Sequence, residues 1–240
     1  MLTWRTEPIM QLLLIALVAS GVYGQTPAER IVMELMGHHV TMVTAKLDDR
    51  GFPEESAQVC FDIAPKPLCY SPSTGIYGLS PNLIPIQIGI GQSAILFSAG
   101  ENFGGSGSRT HFAILRPGEV EVENLLPSDL WVSELGAHAL MTDKSLSPSP
   151  IFVVADGVIL PEEVHFGEHR YTVSAYVLTL RPDSETLHYD LRDQYMTSGT
   201  YSSIVTANEK FDILDSEMPE ILARLKRVKA ETERQANSPR

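Results

Sequence analysis

The sequence predicts a mainly antiparallel β protein, built as a sandwich or meander, with a short N-terminal helix and a longer C-terminal amphipathic helix, α+β overall. From His38 to Leu191, short β-rich runs alternate with clusters of Gly, Pro, Asn, Asp and Ser about every ten residues. No helical pattern interrupts these runs, and parallel strands would require crossover helices. Helical spacing is confined to the two ends of the chain that follows the N-terminal leader.

Residues 1–24 have the order of a secretory signal peptide. Arg5 precedes the apolar run 12–19, and the small-residue stretch 20–24 follows it. This run is shorter than the roughly 20 residues that a transmembrane helix needs. We expect cleavage after Gly24, or after Gly21, and a soluble, secreted or periplasmic protein with no stable membrane span after cleavage. An uncleaved signal anchor is the alternative.

The short N-terminal helix is predicted over residues 26–36. Thr26 is a suitable cap, Pro27 takes the first helical position and Glu29 completes a capping box. One apolar stripe at helical spacing follows, and Gly37 is placed to end the helix. The stripe consists of Ile31, Val32, Leu35 and Met36.

Strands are predicted wherever a β-rich run is bounded by turn residues. They cover 40–45, 58–63, 68–70, 84–90, 94–98, 111–115, 120–123, 131–133, 137–141, 151–154, 164–166, 171–180 and 187–191. Alternation is clearest in 171–180, and 187–191 could return beside it. This pattern predicts an antiparallel meander with one face exposed to solvent.

The C-terminal helix begins with a Ser216 cap and has Pro219 in its first turn, and basic residues in its last half suit the helix dipole. Its apolar stripe contains Ile221, Leu222, Leu225 and Val228. The segment 145–150 is the best linker candidate. It would divide the chain into a β-rich part with the N-terminal helix (25–144) and a β-meander with the C-terminal helix (151–240). Alternatively, it is a long surface loop within a single domain, 25–240.

The two cysteines, Cys60 and Cys69, flank the turn 64–67. A strand before this turn and its return after it would bring the two thiols within bridging distance. In an oxidising compartment we therefore expect a disulfide between them.

Composition limits the possible partners. The 18 basic and 30 acidic residues give a net charge of −12, which disfavours binding to a nucleic acid backbone. Hydrophobic residues make up 43% and charged residues 20%, so the chain is neither disordered nor collagen-like nor a coiled coil.

The segment 47–55 is similar to the Asp-rich, Gly-centred calcium loops of integrin-type propeller repeats. Such loops gather carboxylates around a hard cation. Here Lys46 and Arg50 stand where carboxylates are expected, and Asp48 and Glu54 remain. Because two cations repel a divalent ion, we expect a turn that has lost the metal. We predict no metal site and no cofactor.

Other motifs match catalytic or cofactor patterns only in part. Residues 89–94 fit a dinucleotide pattern, but a strand rather than a helix follows, so a hairpin turn is expected. The segment 104–108 lacks the last Gly of a nucleophile elbow. Of seven histidines, only His165 and His169 have the spacing of helical metal ligands, and they flank a predicted turn. No catalytic residue is predicted.

A polar-aromatic cluster occupies residues 189–201. It combines Tyr189, Tyr195 and Tyr201 with Asp190, Arg192 and Asp193. A sugar or peptide surface could use such rings and charges. Packing of amphipathic tyrosines at a strand edge is the alternative that the pattern favours.

These observations predict a non-catalytic binding or interaction module of the periplasm or cell envelope, with an envelope protein or glycan as partner. The alternatives are a secreted hydrolase of an envelope polymer and a protein with a degenerate calcium loop. A histidine and a carboxylate in hydrogen-bond contact within a closed pocket would favour the hydrolase. Histidines exposed to solvent would favour the binding module.

Overall fold

In the computed structural model, the described residues form three antiparallel β-sheets and one helix. The structure describes residues 30–35, 37–44, 56–72, 79–102, 108–127, 130–133, 136–158, 167–181, 186–202 and 213–236. The fold is mainly antiparallel β with a C-terminal helix, as predicted. The predicted signal peptide 1–24, the loop 47–55 that is similar to calcium loops, the segment 103–107 and the strand predicted at 164–166 lie outside the described residues.

The first sheet is a meander in the order β1-β2-β3-β4. Its strands are β1 (Arg30–Leu35), β2 (His38–Val43), β3 (Gln58–Phe61) and β4 (Leu68–Tyr70). The N-terminal helix prediction is wrong here, since residues 30–35 form β1. Met33 and Leu35 pack into the core while Val32 is exposed, which is the period of a strand. Gly37, at φ 78°, lies in the tight loop between β1 and β2.

Cys60 and Cys69 lie opposite each other on β3 and β4 and form a disulfide. The bond closes the short turn between the two strands, the geometry that the turn residues predict. A disulfide is consistent with an oxidising compartment.

We expect the double variant Cys60→Ala/Cys69→Ala to lose about 2.5–3 kcal/mol of unfolding free energy, because the unfolded chain regains the entropy of the open loop. Urea denaturation with linear extrapolation measures this loss. Wild-type protein treated with reductant is the control and should show a similar decrease. An unchanged midpoint in the variant would contradict the prediction.

The second sheet lies at the centre of the chain. Its strands are β5 (Leu79–Gly89), β6 (Gln92–Asn102), β7 (Ser108–Pro117), β8 (Val122–Asn124) and β9 (Trp131–Ser133). β5, β6 and β7 pair in sequence, and both β8 and β9 pair with β7. Ile90 and Gly91 form the turn between β5 and β6, with Gly91 at φ 68°. The dinucleotide-like segment is thus a hairpin, as expected.

The third sheet has the order β10-β11-β12-β13, and β14 pairs with the start of β12. Its strands are β10 (Ala137–Met141), β11 (Ile151–Val158), β12 (Glu168–Leu180), β13 (Leu187–Met196) and β14 (Tyr201–Ser202). The segment 145–150 joins β10 to β11, which are neighbours in this sheet. Ser149 in this loop is buried, and its hydroxyl donates to the carbonyl oxygen of Ile88.

Alternate side chains of the second and third sheets fill successive core layers. In β6, Ile95 and Phe97 pack with the first sheet, whereas Leu96 packs with the third. In β11, Phe152 faces the second sheet and Val153 faces the helix. Both faces of the third sheet are therefore covered, and the prediction that one face of the 171–191 meander is exposed to solvent is wrong.

The helix α1 (Ile213–Ala236) covers the outer face of the third sheet. Ile213, Leu214, Ile221 and Leu225 are buried there, whereas Val228 is only half-buried. The helix begins before the predicted cap, so Ser216 lies within its first turns. Among the described residues, no helix is both long and apolar enough to cross a membrane.

Candidate binding site

β13 contains a β-bulge at Arg192. Ala175 of β12 pairs with Asp193, whereas the next residue, Tyr176, pairs with Leu191, so Arg192 is the extra residue. An extra residue in one strand shifts the alternation of all side chains beyond it.

The shift is visible in the tyrosines on either side of the bulge. Tyr189 packs between the second and third sheets, and its hydroxyl donates to the carbonyl oxygen of Pro150 at 3.1 Å. Tyr195 is six residues further along the strand, so regular alternation would place it on the same face as Tyr189. Instead it packs on the opposite face, against α1. The bulge therefore turns the last part of β13 toward the helix.

An arginine of α1 is held by this part of β13. Arg224 donates to both carboxylate oxygens of Asp193, with a distance of 3.1 Å from Nη2 to Oδ1. Its guanidinium also lies 4.5 Å from the centre of the Tyr195 ring. The hydrogen bond to Asp193 raises the pKa of Arg224. A charged pair with two hydrogen bonds fixes both position and orientation of the helix.

Glu217 provides a second anchor near the start of α1. This buried carboxylate accepts hydrogen bonds from the hydroxyls of Tyr195, at 2.8 Å, and Tyr201. Burial first, and the hydrogen bond to Glu217 second, raise the pKa of Tyr201 to about 12. Tyr195 and Tyr201 thus attach α1 to the sheet, whereas Tyr189 packs between the second and third sheets. Packing is the role that the sequence favours for these tyrosines.

A cavity of about 230 Å³ lies between the C-terminal half of α1 and the third sheet. Its apolar lining comes from Leu146, Ile151, Val177 and Leu225. Beyond Leu225 the apolar stripe of α1 retains only the half-buried Val228, and the following positions that line the cavity are Lys229 and Thr232. Within the described helix, no apolar side chain beyond Leu225 lines the cavity.

The mouth of the cavity is polar. Arg192, Lys229, Thr232 and Glu233 line it, so two cations face one carboxylate. Lys229 Nζ donates to the carbonyl oxygen of Ser145 at 2.6 Å and lies 3.9 Å from Glu233 Oε1. Arg192 is exposed and has no ion pair within the described part of the chain.

A second groove of about 530 Å³ separates the β5–β6 hairpin from β10 and the loop after it. Ile86, Ile90 and Leu140 give it an apolar surface, and Lys144 is its charged residue. This groove is more open than the α1 cavity. Its polar side chains are Gln87, Thr142 and Lys144, so it presents one cation and no carboxylate.

The histidines do not form a catalytic arrangement where the structure describes them. His111 is buried and shares a 3.0 Å hydrogen bond with the Tyr70 hydroxyl, between the first and second sheets. The ring of His138 lies 4.6 Å from that of Phe112, and desolvation lowers its pKa. His39 approaches Glu34 at 3.7 Å on the exposed surface.

Neither cavity is lined by a histidine. His169 is fully buried in β12, whereas His165 lies outside the described residues. No cluster of three or more possible metal ligands occurs in the ranges that the structure covers. The arrangement that would favour the hydrolase, a histidine and a carboxylate in a closed pocket, is not present among these residues.

The fold and site define a layered antiparallel β protein whose C-terminal helix leaves an apolar cavity with a cationic mouth. Comparisons of the chain with known protein families, curated proteins and solved structures find no match. The function is therefore argued from the geometry of this cavity.

Proposed function

We propose that this protein is an exported, non-catalytic binding module of the periplasm or cell envelope, and that it holds the apolar part of an envelope component in the α1 cavity. The observation that carries the proposal is the cavity itself, with its apolar lining and polar mouth. The leader-like residues 1–24 and the Cys60–Cys69 disulfide support export.

The size of the cavity, and the contacts that hold its helical wall in place, suit ligand binding. Its volume of about 230 Å³ exceeds that of an engineered apolar cavity of about 150 Å³ that binds benzene. Glu217 and Arg224 attach the preceding turns of α1 to the sheet, so the cavity wall is positioned before any ligand enters. A preformed site loses less conformational entropy on binding.

Isothermal titration of the exported protein with two ten-carbon probes, decanol and decanoate, tests this function. We expect wild-type protein to bind at least one probe, and the variant Val177→Phe to bind it at least tenfold more weakly, because the larger ring fills the cavity. Val32→Phe is the matched control, since Val32 is exposed on the outer face of the first sheet.

Melting curves show whether both variants remain folded, and Leu146→Phe, on a different segment of the lining, provides a second filling variant. Failure of wild-type protein to bind either probe would overturn the proposal. Unchanged affinity in both folded filling variants would also overturn it.

A further inference from the structure

We infer that the α1 cavity selects single-chain amphiphiles with a monoanionic head group of the fatty-acid type, and that Arg192 determines this selectivity. The inference rests on the proposed function and adds the class of ligand and the residue that recognises its head. It is carried by the charge at the mouth, the β-bulge and the contacts of Lys229.

The charge at the mouth is opposite to that of the whole chain. The protein has a net charge of −12, yet two cations and one carboxylate line this opening. A local excess of positive charge beside an apolar interior attracts an anion that carries an apolar chain. The volume admits one such chain and is too small for a two-chain lipid.

The β-bulge explains how Arg192 comes to line the cavity. In a regular strand, Arg192 and Asp193 would lie on opposite faces. Arg192 is the extra residue of the bulge, so both side chains lie on the side of α1. Asp193 contacts Arg224 of the helix, and Arg192 lines the cavity beside the same helix. Bulges commonly redirect a side chain at a functional site.

Lys229 and Arg192 have different roles at the mouth. Lys229 is engaged by the Ser145 carbonyl oxygen and by Glu233, so it closes one side of the opening. Arg192 has no such ion pair in the described ranges, and its planar guanidinium matches a carboxylate with two parallel hydrogen bonds. Glu233, which also lines the opening, repels a second negative charge and so favours a head group with one charge.

The test compares decanoate, decanol and decyltrimethylammonium on the exported protein at pH 8 and low salt. We expect wild-type protein to bind decanoate about tenfold more tightly than decanol, the size of one charge-assisted contact. The cationic probe should bind more weakly than decanol. High salt should reduce the preference for decanoate.

The variant Arg192→Met should abolish the preference for decanoate over decanol. Arg170→Met is the matched control, because Arg170 is an exposed arginine on β12 of the same sheet and does not line the cavity. Equal binding of decanoate and decanol by wild-type protein, or a preference that survives Arg192→Met, would overturn the inference while leaving the proposed function intact. If wild-type protein binds neither decanoate nor decanol, the proposed function is overturned, and the inference with it.

Discussion

Raising the pH from about 9 to about 12 is expected to unfold the protein cooperatively, because several tyrosines are held neutral by the fold. The pKa values of Tyr171, Tyr176, Tyr189, Tyr195 and Tyr201 are all raised above the ordinary value. Those of Tyr171 and Tyr201 reach about 12. Burial is the largest cause for each, and Glu217 adds to it for Tyr195 and Tyr201.

The direction of the effect follows from proton linkage. The folded protein keeps these hydroxyls protonated at a pH where the unfolded chain releases the protons, so their stabilisation is complete below about pH 10. It is lost as the pH rises through about 12. For fully buried Tyr171 alone the loss is roughly 2 kcal/mol at pH 12, compared with a total stability of about 5–15 kcal/mol for a typical domain.

Thermal unfolding followed by circular dichroism at intervals between pH 8 and pH 12 measures this loss. Tyr171→Phe removes one titrating hydroxyl and keeps the ring, so its melting temperature should fall less steeply with pH than that of wild-type protein. Melting temperatures that stay constant between pH 9 and pH 11.5 would show that the tyrosines titrate normally.

The sheets could be predicted from the sequence wherever turn residues bound a short β-rich run. The strands β9 and β10 have the predicted limits, and the turn between β3 and β4 places Cys60 opposite Cys69. The helix prediction for the N-terminal segment is wrong because six residues are too few to distinguish the helical period of 3.6 residues from the strand period of two. Its apolar residues fit a helix stripe, but Met33 and Leu35 also alternate, and pairing with β2 selects the strand.

The covered face of the third sheet could not be predicted, because two of its buried residues carry polar groups. Ser174 is buried, and its hydroxyl accepts a hydrogen bond from the side-chain amide of Gln194 at 2.9 Å. Tyr176 is also buried, in the layer next to the second sheet. Alternation in the sequence shows which residues share a face, but not what packs on the polar face.

The candidate site depends on α1 and on the bulge in β13, and only the contribution of α1 can be recognised in the sequence. After Val228 the apolar stripe of α1 gives way to the polar residues Lys229 and Thr232, which indicates a gap between the end of the helix and the sheet. The bulge at Arg192 has no comparable signal, because it is defined by the register between β12 and β13. Residue spacing within β13 alone therefore cannot place Arg192 on the α1 side.

The substitution Phe152→Ala is expected to lower the free energy of unfolding by about 3–5 kcal/mol. Phe152 is fully buried between the second and third sheets, with its ring centre 5.6 Å from that of Phe112. Truncation removes this contact and leaves a cavity that the flanking strands cannot close. Ile90→Ala, at the exposed tip of the β5–β6 hairpin, is the control and should change stability by less than about 0.5 kcal/mol.

Urea denaturation measures the two free energies, and a loss below about 1 kcal/mol for Phe152→Ala would show that the two sheets are not packed as described.

The same variant also tests whether binding in the α1 cavity is independent of packing between the sheets. Phe152 and its neighbour Ile151 lie on opposite faces of β11, one in the layer between the sheets and the other in the lining of the α1 cavity. Below its melting temperature, Phe152→Ala should therefore bind decanoate with nearly wild-type affinity, because the cavity lining and Arg192 are unchanged.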